Sequence, residues 1–338
     1  MFFSTVYYYQ INECNNKTTS NEYGTVFGFT EQEVAAALTE YEFENRMSDI
    51  KEWYDGFIFG KWKDIYNPWS ILNFLDTGIL EAYWANTSSN NLVGKLIRGG
   101  SRDIKIVMED LLKEKSFHTQ IDEQIVFSQL EEDESAIWSF LLAGGYLRVE
   151  NYFFNKEGEK EYDLVLTNKE VRIMFRQMIK GWFSRFKTSY NDFIKALLAG
   201  DIDAMNIYMN KVALAAVSFF DTGSKLSEEI EPERFYHGFV LGLMVELAGR
   251  YIITSNRESG FGRYDVMLEP KTKEDLAIIL EFKVYSPKKE KELKDTVKSA
   301  LQQIEDKKYT AVLEAKGISA ERIRKYGFAF KGKEVLIG

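Results

Sequence analysis

The 338-residue sequence has a single cysteine, Cys14, so no intrachain disulfide can form, and a reducing cytoplasm is the simplest home for the chain. Long apolar runs are missing too. Val212–Val217 and Ile137–Leu142, the latter with a polar break, fall well short of the ~20 residues a membrane helix needs, so no span is expected. Met1–Gln10 is aromatic with no basic start, and Asn and Thr follow it where a cleavable leader would have small residues, so no signal peptide is read. A nucleotide phosphate loop is also absent. Gly56-Phe-Ile-Phe-Gly60-Lys61 has three residues between its glycines where four are needed, and Trp62 stands where a magnesium-holding hydroxyl should follow. The chain is therefore not expected to hydrolyse ATP on its own. There is no fixed-period repeat and no low-complexity tract.

Positive charge is scarce on average, with a formal net charge of -9, but the two parts differ. From residue 231 onward there are 20 Lys+Arg against 17 Asp+Glu, or +3, which leaves 23 against 35, or -12, for residues 1–230. Phosphates are contacted by a local patch and not by mean charge, so the C-terminal part stays open to a nucleic-acid role.

At 45% hydrophobic and 28% charged the chain is an ordinary globular sequence, long enough for two or more domains. Residues 1–21 read as a loose leader. Thr30, with Glu33 three residues on, is a capping box ahead of a helix bearing Val34, Leu38 and Tyr41. Aromatic residues dominate 50–75, in Trp53-Tyr-Asp-Gly and Tyr66-Asn-Pro-Trp-Ser70, where core packing is their ordinary use and Asn67 or Ser70 can cap the next helix. Between Glu131 and Phe186 the order is helix, two-stranded ribbon (147–154 and 161–166) and helix, which resembles a winged helix. Two further helices meet at Ala199-Gly200-Asp201, and the polar stretch Asp221–Glu231 is the best domain boundary.

Beyond that boundary the pattern predicts an apolar helix over 233–251 and strands over 251–255, 262–268 and 276–285. A helix over 290–307, a strand over 309–314, a short helix after Ser319 and a strand over 327–330 complete it. The third of these strands, Leu276-Ala-Ile-Ile-Leu-Glu-Phe-Lys-Val-Tyr285, is apolar except for Glu281 and Lys283. Side chains alternate along a strand, so these two charges share one side with Ala277 and Ile279. Charges are rarely buried without a partner or a metal, which makes the strand a candidate site. Asp265 lies one strand earlier, across the turn 270–275. If the strands pair as a hairpin, Asp265, Glu281 and Lys283 meet at one end of the sheet. Two neighbouring carboxylates need a cation between them, and hard oxygen ligands suit Mg2+ or Mn2+. Glu292-Leu-Lys294, Glu305-Asp-Lys307 and Glu314-Ala-Lys316 repeat the Glu-x-Lys spacing, but in polar or helix-like settings where a solvated face is the ordinary reading.

Asp265, Glu281-Phe-Lys283 and this order of elements resemble the PD-(D/E)XK nuclease superfamily. Phe235-Tyr-His-Gly, the segment Ser255–Asp265, Gln303-Ile and Tyr326-Gly resemble its bacterial branch in which the nuclease follows an AAA-ATPase-like region. The two aromatic motifs of 53–70 resemble the latter part of that region, so the likeness runs over about residues 22–338. Tyr264 stands where the branch has proline, and the chain begins after the point where the branch's phosphate loop would stand.

The resemblance implies an α/β, restriction-endonuclease-like C-terminal domain with an αβββαβ core and mixed sheet at 226–338. It implies a mostly α-helical remnant of the ATPase-like region at 22–120, with the winged-helix-like module at 121–225. It also implies a Mg2+-dependent nuclease acting on DNA, with Asp265, Glu281 and the Phe282 carbonyl on the metal and Lys283 assisting the attacking water. His237, Glu258, Arg263 and Gln303 are implied accessory residues, with His237 or Glu258 as an extra ligand and Gln303 positioning phosphate. From the residues alone His237 fits a neighbour-satisfied helix histidine equally well. No membrane contact is implied; the partners allowed besides DNA are a second copy of the chain or a separate ATPase. The competing readings are a catalytically inactive nuclease-fold binding or regulatory module and a winged-helix DNA-binding regulator.

Overall fold

The computed structural model describes residues 26, 28–59, 62–84, 90–121, 135–184, 187–220, 230–256 and 264–338; the side chains of 59, 215–220, 230–234, 256 and 264–265 lie outside that description. The predicted leader, the 221–229 boundary stretch and the accessory residues Glu258 and Arg263 fall outside the described residues. The chain forms two compact units, one extending to Met178 and the other running Ile179–Gly338.

In the first unit, strand β1 (Phe29–Thr30) leads into α1 (Glu31–Glu40), and Thr30 and Glu33 make the predicted reciprocal capping box. Helix α2 (Met47–Tyr54), strands β2 (Phe57–Phe59) and β3 (Trp62–Tyr66) and helix α3 (Pro68–Thr77) follow. The Asn67 carbonyl oxygen of the side chain accepts the Trp69 N–H, and Pro68 occupies the first helical position, where its missing N–H costs nothing. Val34, Leu38, Ile50, Tyr54, Tyr66, Ile71 and Phe74 form the core of this part, which gives Tyr54 and Tyr66 the packing use expected of them, while Trp69 is half exposed.

After α4 (Asn90–Gly99), α5 (Arg102–Leu112) and β4 (Phe117–Thr119) come α6 (Ala136–Ala143), β5 (Leu147–Phe154), β6 (Lys160–Leu166) and α7 (Lys169–Trp182). The predicted helix–ribbon–helix order is present, and β4 adds a third strand beside β6. Asn168 caps α7 by accepting the Val171 N–H. In the first turn of α7, Glu170 is fully buried and accepts hydrogen bonds from the Ser70 hydroxyl (2.8 and 3.0 Å) and the Trp84 N–H (2.7 Å). Burial pushes its carboxyl up to about 7, against the pull of those donors.

The second unit contains α8 (Lys187–Ala199), α9 (Ile202–Phe220), α10 (Ile230–Glu246), β7 (Tyr251–Asn256), β8 (Tyr264–Pro270), β9 (Ala277–Val284), α11 (Leu293–Asp306), α12 (Tyr309–Glu314), β10 (Ile323–Lys331) and β11 (Glu334–Ile337). The five strands order as β11-β10-β9-β8-β7, with β9 and β10 parallel and the other pairs antiparallel. The αβββαβ succession with a mixed sheet is therefore present. Helices cover both faces of β9. The Tyr236 and Phe239 rings of α10 pack on Phe282 (centroids 5.6 and 6.5 Å), while Ala277 and Ile279 pack with Ile304 of α11 and Leu313 of α12.

Two readings are corrected. Residues 309–314, predicted as a strand, form helix α12. Its buried residues Tyr309 and Leu313 are four apart while Val312 is half exposed, which is the period of a helix turn and not of a pleat. The final strand begins at Ile323, before the predicted 327, and a further strand, β11, returns along it after Gly332, whose φ of 56° suits the glycine.

Strand β11 is the edge, yet its outward backbone groups are paired. On α9 the side-chain amide of Asn206 accepts from Ile337 N–H and donates to Ile337 C=O (2.8 and 2.9 Å), and Asn210 does the same to Val335 (2.9 and 2.7 Å). Four helical residues rise about 6 Å and two strand residues about 6.8 Å, so asparagines at i,i+4 meet alternate strand residues.

Two outcomes follow. The double variant Asn206→Ala/Asn210→Ala removes four hydrogen bonds and opens the edge; urea unfolding should show a loss of about 3 kcal/mol, and sedimentation should show self-association absent from the parent. Glu170 binds its proton more tightly when folded, so its contribution is fully present below the ordinary carboxylate range and is lost as pH rises toward 7. That loss is on the order of 3 kcal/mol. Glu170→Gln keeps partners for Ser70 and Trp84, and unfolding at pH 5 and pH 8 should show the variant free of it.

Candidate active site

Strands β8 and β9 pair as the predicted hairpin, and the register sets Asp265 directly opposite Glu281. On the other side of β9, Gly327 of β10 is the partner of Glu281. Residues 277–282 are buried on both faces and apolar apart from Glu281, so the register rests on that one acid and the Phe282 ring, whose faces a one-residue slip would exchange. Phe282 is fully buried, stacked on Tyr236 (8° between planes) and 4.9 Å from the Phe328 ring centroid. Its side chain thus anchors the strand, on the face opposite that of Ala277 and Ile279.

Glu281 is also fully buried, and neither carboxylate oxygen has a hydrogen-bond partner among the described residues. Lys283 is half-buried, and its ammonium donates to the Ser299 carbonyl (2.9 Å) and hydroxyl (2.8 Å) on α11. One turn further along α11, Gln303 is buried with its Nε2 unpartnered among the described residues. Helix α11 comes this close because of Gly327: a Cβ there would lie 2.8 Å from the Val297 carbonyl oxygen and 3.0 Å from the Ala300 Cβ. The Tyr326-Gly pair picked out in the sequence thus has a steric reason.

The structure therefore brings Asp265 and Glu281 together in register, and Lys283 and Gln303 to α11. The Asp265 side chain, Glu258 and Arg263 lie outside the described residues. His237 is fully buried on α10, its ring centroid 4.8 Å from that of Tyr236, which itself packs on the Phe282 face of the sheet. The three rival Glu-x-Lys copies are all exposed: Glu292 caps α11, Glu305 pairs with Lys325, and Lys316 pairs with Glu269. Ser299 carried no expectation; its signal was its spacing four residues before Gln303, on the helix face that meets β9.

Among the described residues no group of three or more His, Cys, Asp and Glu side chains gathers as a metal site would. The donor chemistry present nonetheless fits a hard cation. A buried carboxylate with no hydrogen bond is costly by several kcal/mol unless a positive charge meets it, and its oxygens are the ligands Mg2+ or Mn2+ prefers.

An αβββαβ core with a mixed sheet and acidic residues in register on its second and third strands is the arrangement of a restriction-endonuclease-like domain. Residues 231–338 match the family model of the PD-(D/E)XK nuclease superfamily, so the C-terminal region carries a domain of that superfamily. No curated protein matches the chain. No described helix is long and apolar enough to cross a membrane.

Replacing the buried charge tests the cost assigned to it. In metal-free buffer at pH 8, Glu281→Gln should be more stable than the parent by about 1–3 kcal/mol in urea unfolding, because a buried carboxyl that must either carry an uncompensated charge or take up a proton becomes a neutral amide of the same shape.

Proposed function

We propose that the chain is a metal-dependent nuclease that hydrolyses phosphodiester bonds, with DNA as substrate. The observation carrying this reading is the fully buried carboxylate of Glu281, without a hydrogen-bond partner among the described residues, in register opposite Asp265 and with Lys283 two residues on. Asp265, Glu281 and the Phe282 carbonyl would hold Mg2+ or Mn2+. A cation bound there supplies Lewis-acid polarisation of a phosphoryl oxygen and a lowered pKa for a water. Lys283 Nζ is the donor that orients the attacking water and offsets the charge growing on phosphorus oxygens. Gln303 Nε2, a buried donor on α11, suits a phosphate oxygen, and His237, Glu258 and Arg263 complete the accessory set implied by the resemblance.

The balance of +3 from residue 231 onward supports a polyanionic substrate for this part of the chain. In the front half, the aromatic motifs of 53–70 support an AAA-ATPase-like remnant, and the order α6, β5, β6, α7 supports a winged-helix-like module. A cytoplasmic setting and a second copy or separate ATPase as partner belong to the same reading.

Cleavage of plasmid, linear and single-stranded DNA should require Mg2+ or Mn2+ and stop in chelator. Lys283→Ala should lose at least about 100-fold in rate with an unchanged circular dichroism spectrum. Unchanged cleavage by that variant overturns the assignment, and DNA binding without any metal-dependent cleavage favours a non-catalytic nuclease-fold module.

A further inference from the structure

Glu281 and Lys283 are neighbours on one side of β9, yet they do not satisfy each other. A carboxylate and an ammonium two residues apart on one strand face are close enough to pair, and burial raises the reward for doing so. The Lys283 ammonium instead donates to the Ser299 hydroxyl at 2.8 Å and carbonyl at 2.9 Å, while both Glu281 oxygens have no hydrogen-bond partner among the described residues.

We propose that Ser299 is a positioning residue that draws Lys283 toward α11 and so keeps the Glu281 carboxylate open to a divalent cation. This rests on the nuclease reading and goes beyond it in assigning a role to a side chain that contributes no metal ligand and no proton. The hydroxyl is the decisive acceptor of the two. The Ser299 carbonyl lies inside α11, where the helix ladder already uses it, whereas the hydroxyl has lone pairs to give. The helix also stands where the tether can act, because Gly327, the register partner of Glu281, lets α11 press against the sheet at Val297 and Ala300. Without the hydroxyl, the hold of α11 on Lys283 falls to one shared carbonyl, and the buried carboxylate competes for the ammonium. An ion pair at Glu281 then competes with any cation.

Calorimetric titration of the metal-free full chain with Mn2+ tests this without reference to cleavage. Ser299→Ala should weaken Mn2+ binding about tenfold, the value of one charge-assisted hydrogen bond redirected to the ligand. Ser299→Thr, which keeps the hydroxyl, should restore it. Adding Lys283→Met to Ser299→Ala removes the competing ammonium and should also restore it. Unaltered Mn2+ affinity in Ser299→Ala overturns the proposal, as does a loss that Lys283→Met fails to rescue, since that would mark a purely structural role for Ser299. A parent protein that binds no Mn2+ overturns the nuclease reading itself, so the two failures are distinguishable.

Discussion

The burial of one carboxylate on the central strand governs the second unit. Glu281 sits in the middle of a five-stranded sheet covered on both faces, where an apolar residue would cost nothing, and it has no hydrogen bond among the described residues. Such a group persists only if its surroundings hold it there against several kcal/mol of desolvation. The restraint comes from the opposite face. Phe282 is clamped among Tyr236, Phe239, Phe328 and Phe330, and with the ring fixed there, alternation forces Glu281 and Lys283 toward α11. The aromatic packing of one face is thus the mechanical support of the chemistry on the other.

Much of this was legible in particular residues. The Glu281–Lys283 strand declared itself because two charges of like parity interrupt an apolar run, and Asp265 because it lies one hairpin earlier. The capping pair Thr30–Glu33 and the Asn67-Pro68 helix start were readable because each rests on contacts within a few residues. What failed was non-local. Residues 309–314 contain β-branched and aromatic side chains that suit a strand, and only the hydrophobic cluster that buries Tyr309 and Leu313 together decides for a helix. Strand β11 is four residues long and shows little pattern by itself; its place depends on pairing with β10 and on the asparagines of α9 more than a hundred residues away. Ser299 is an ordinary helix serine until the sheet brings Lys283 to it.

The asparagine clamp also explains how a mixed sheet with an apolar edge strand stays closed. Val335 and Ile337 point their side chains into the core, so charge could not be placed there to discourage pairing with another strand. Asn206 and Asn210 instead supply the donors and acceptors that a sixth strand would bring. Amide side chains suit this because each carries a donor and an acceptor at one fork, matching the N–H and C=O of a single strand residue.

The same economy bears on the chemistry. A carboxylate and a lysine adjacent on one strand can neutralise each other, and an active site built from them must prevent that collapse without removing either. Distance along β9 cannot do it, since residues of like parity are neighbours by construction. A competing acceptor can, provided it stands on a different element whose position is set independently. Helix α11 meets that condition: its approach is set by the absent side chain at Gly327, and Ser299 offers the lysine two oxygens. Under the proposed nuclease reading, the lysine then stays near the acid without pairing with it, which would leave the carboxylate oxygens for a cation and the ammonium for a phosphoryl group.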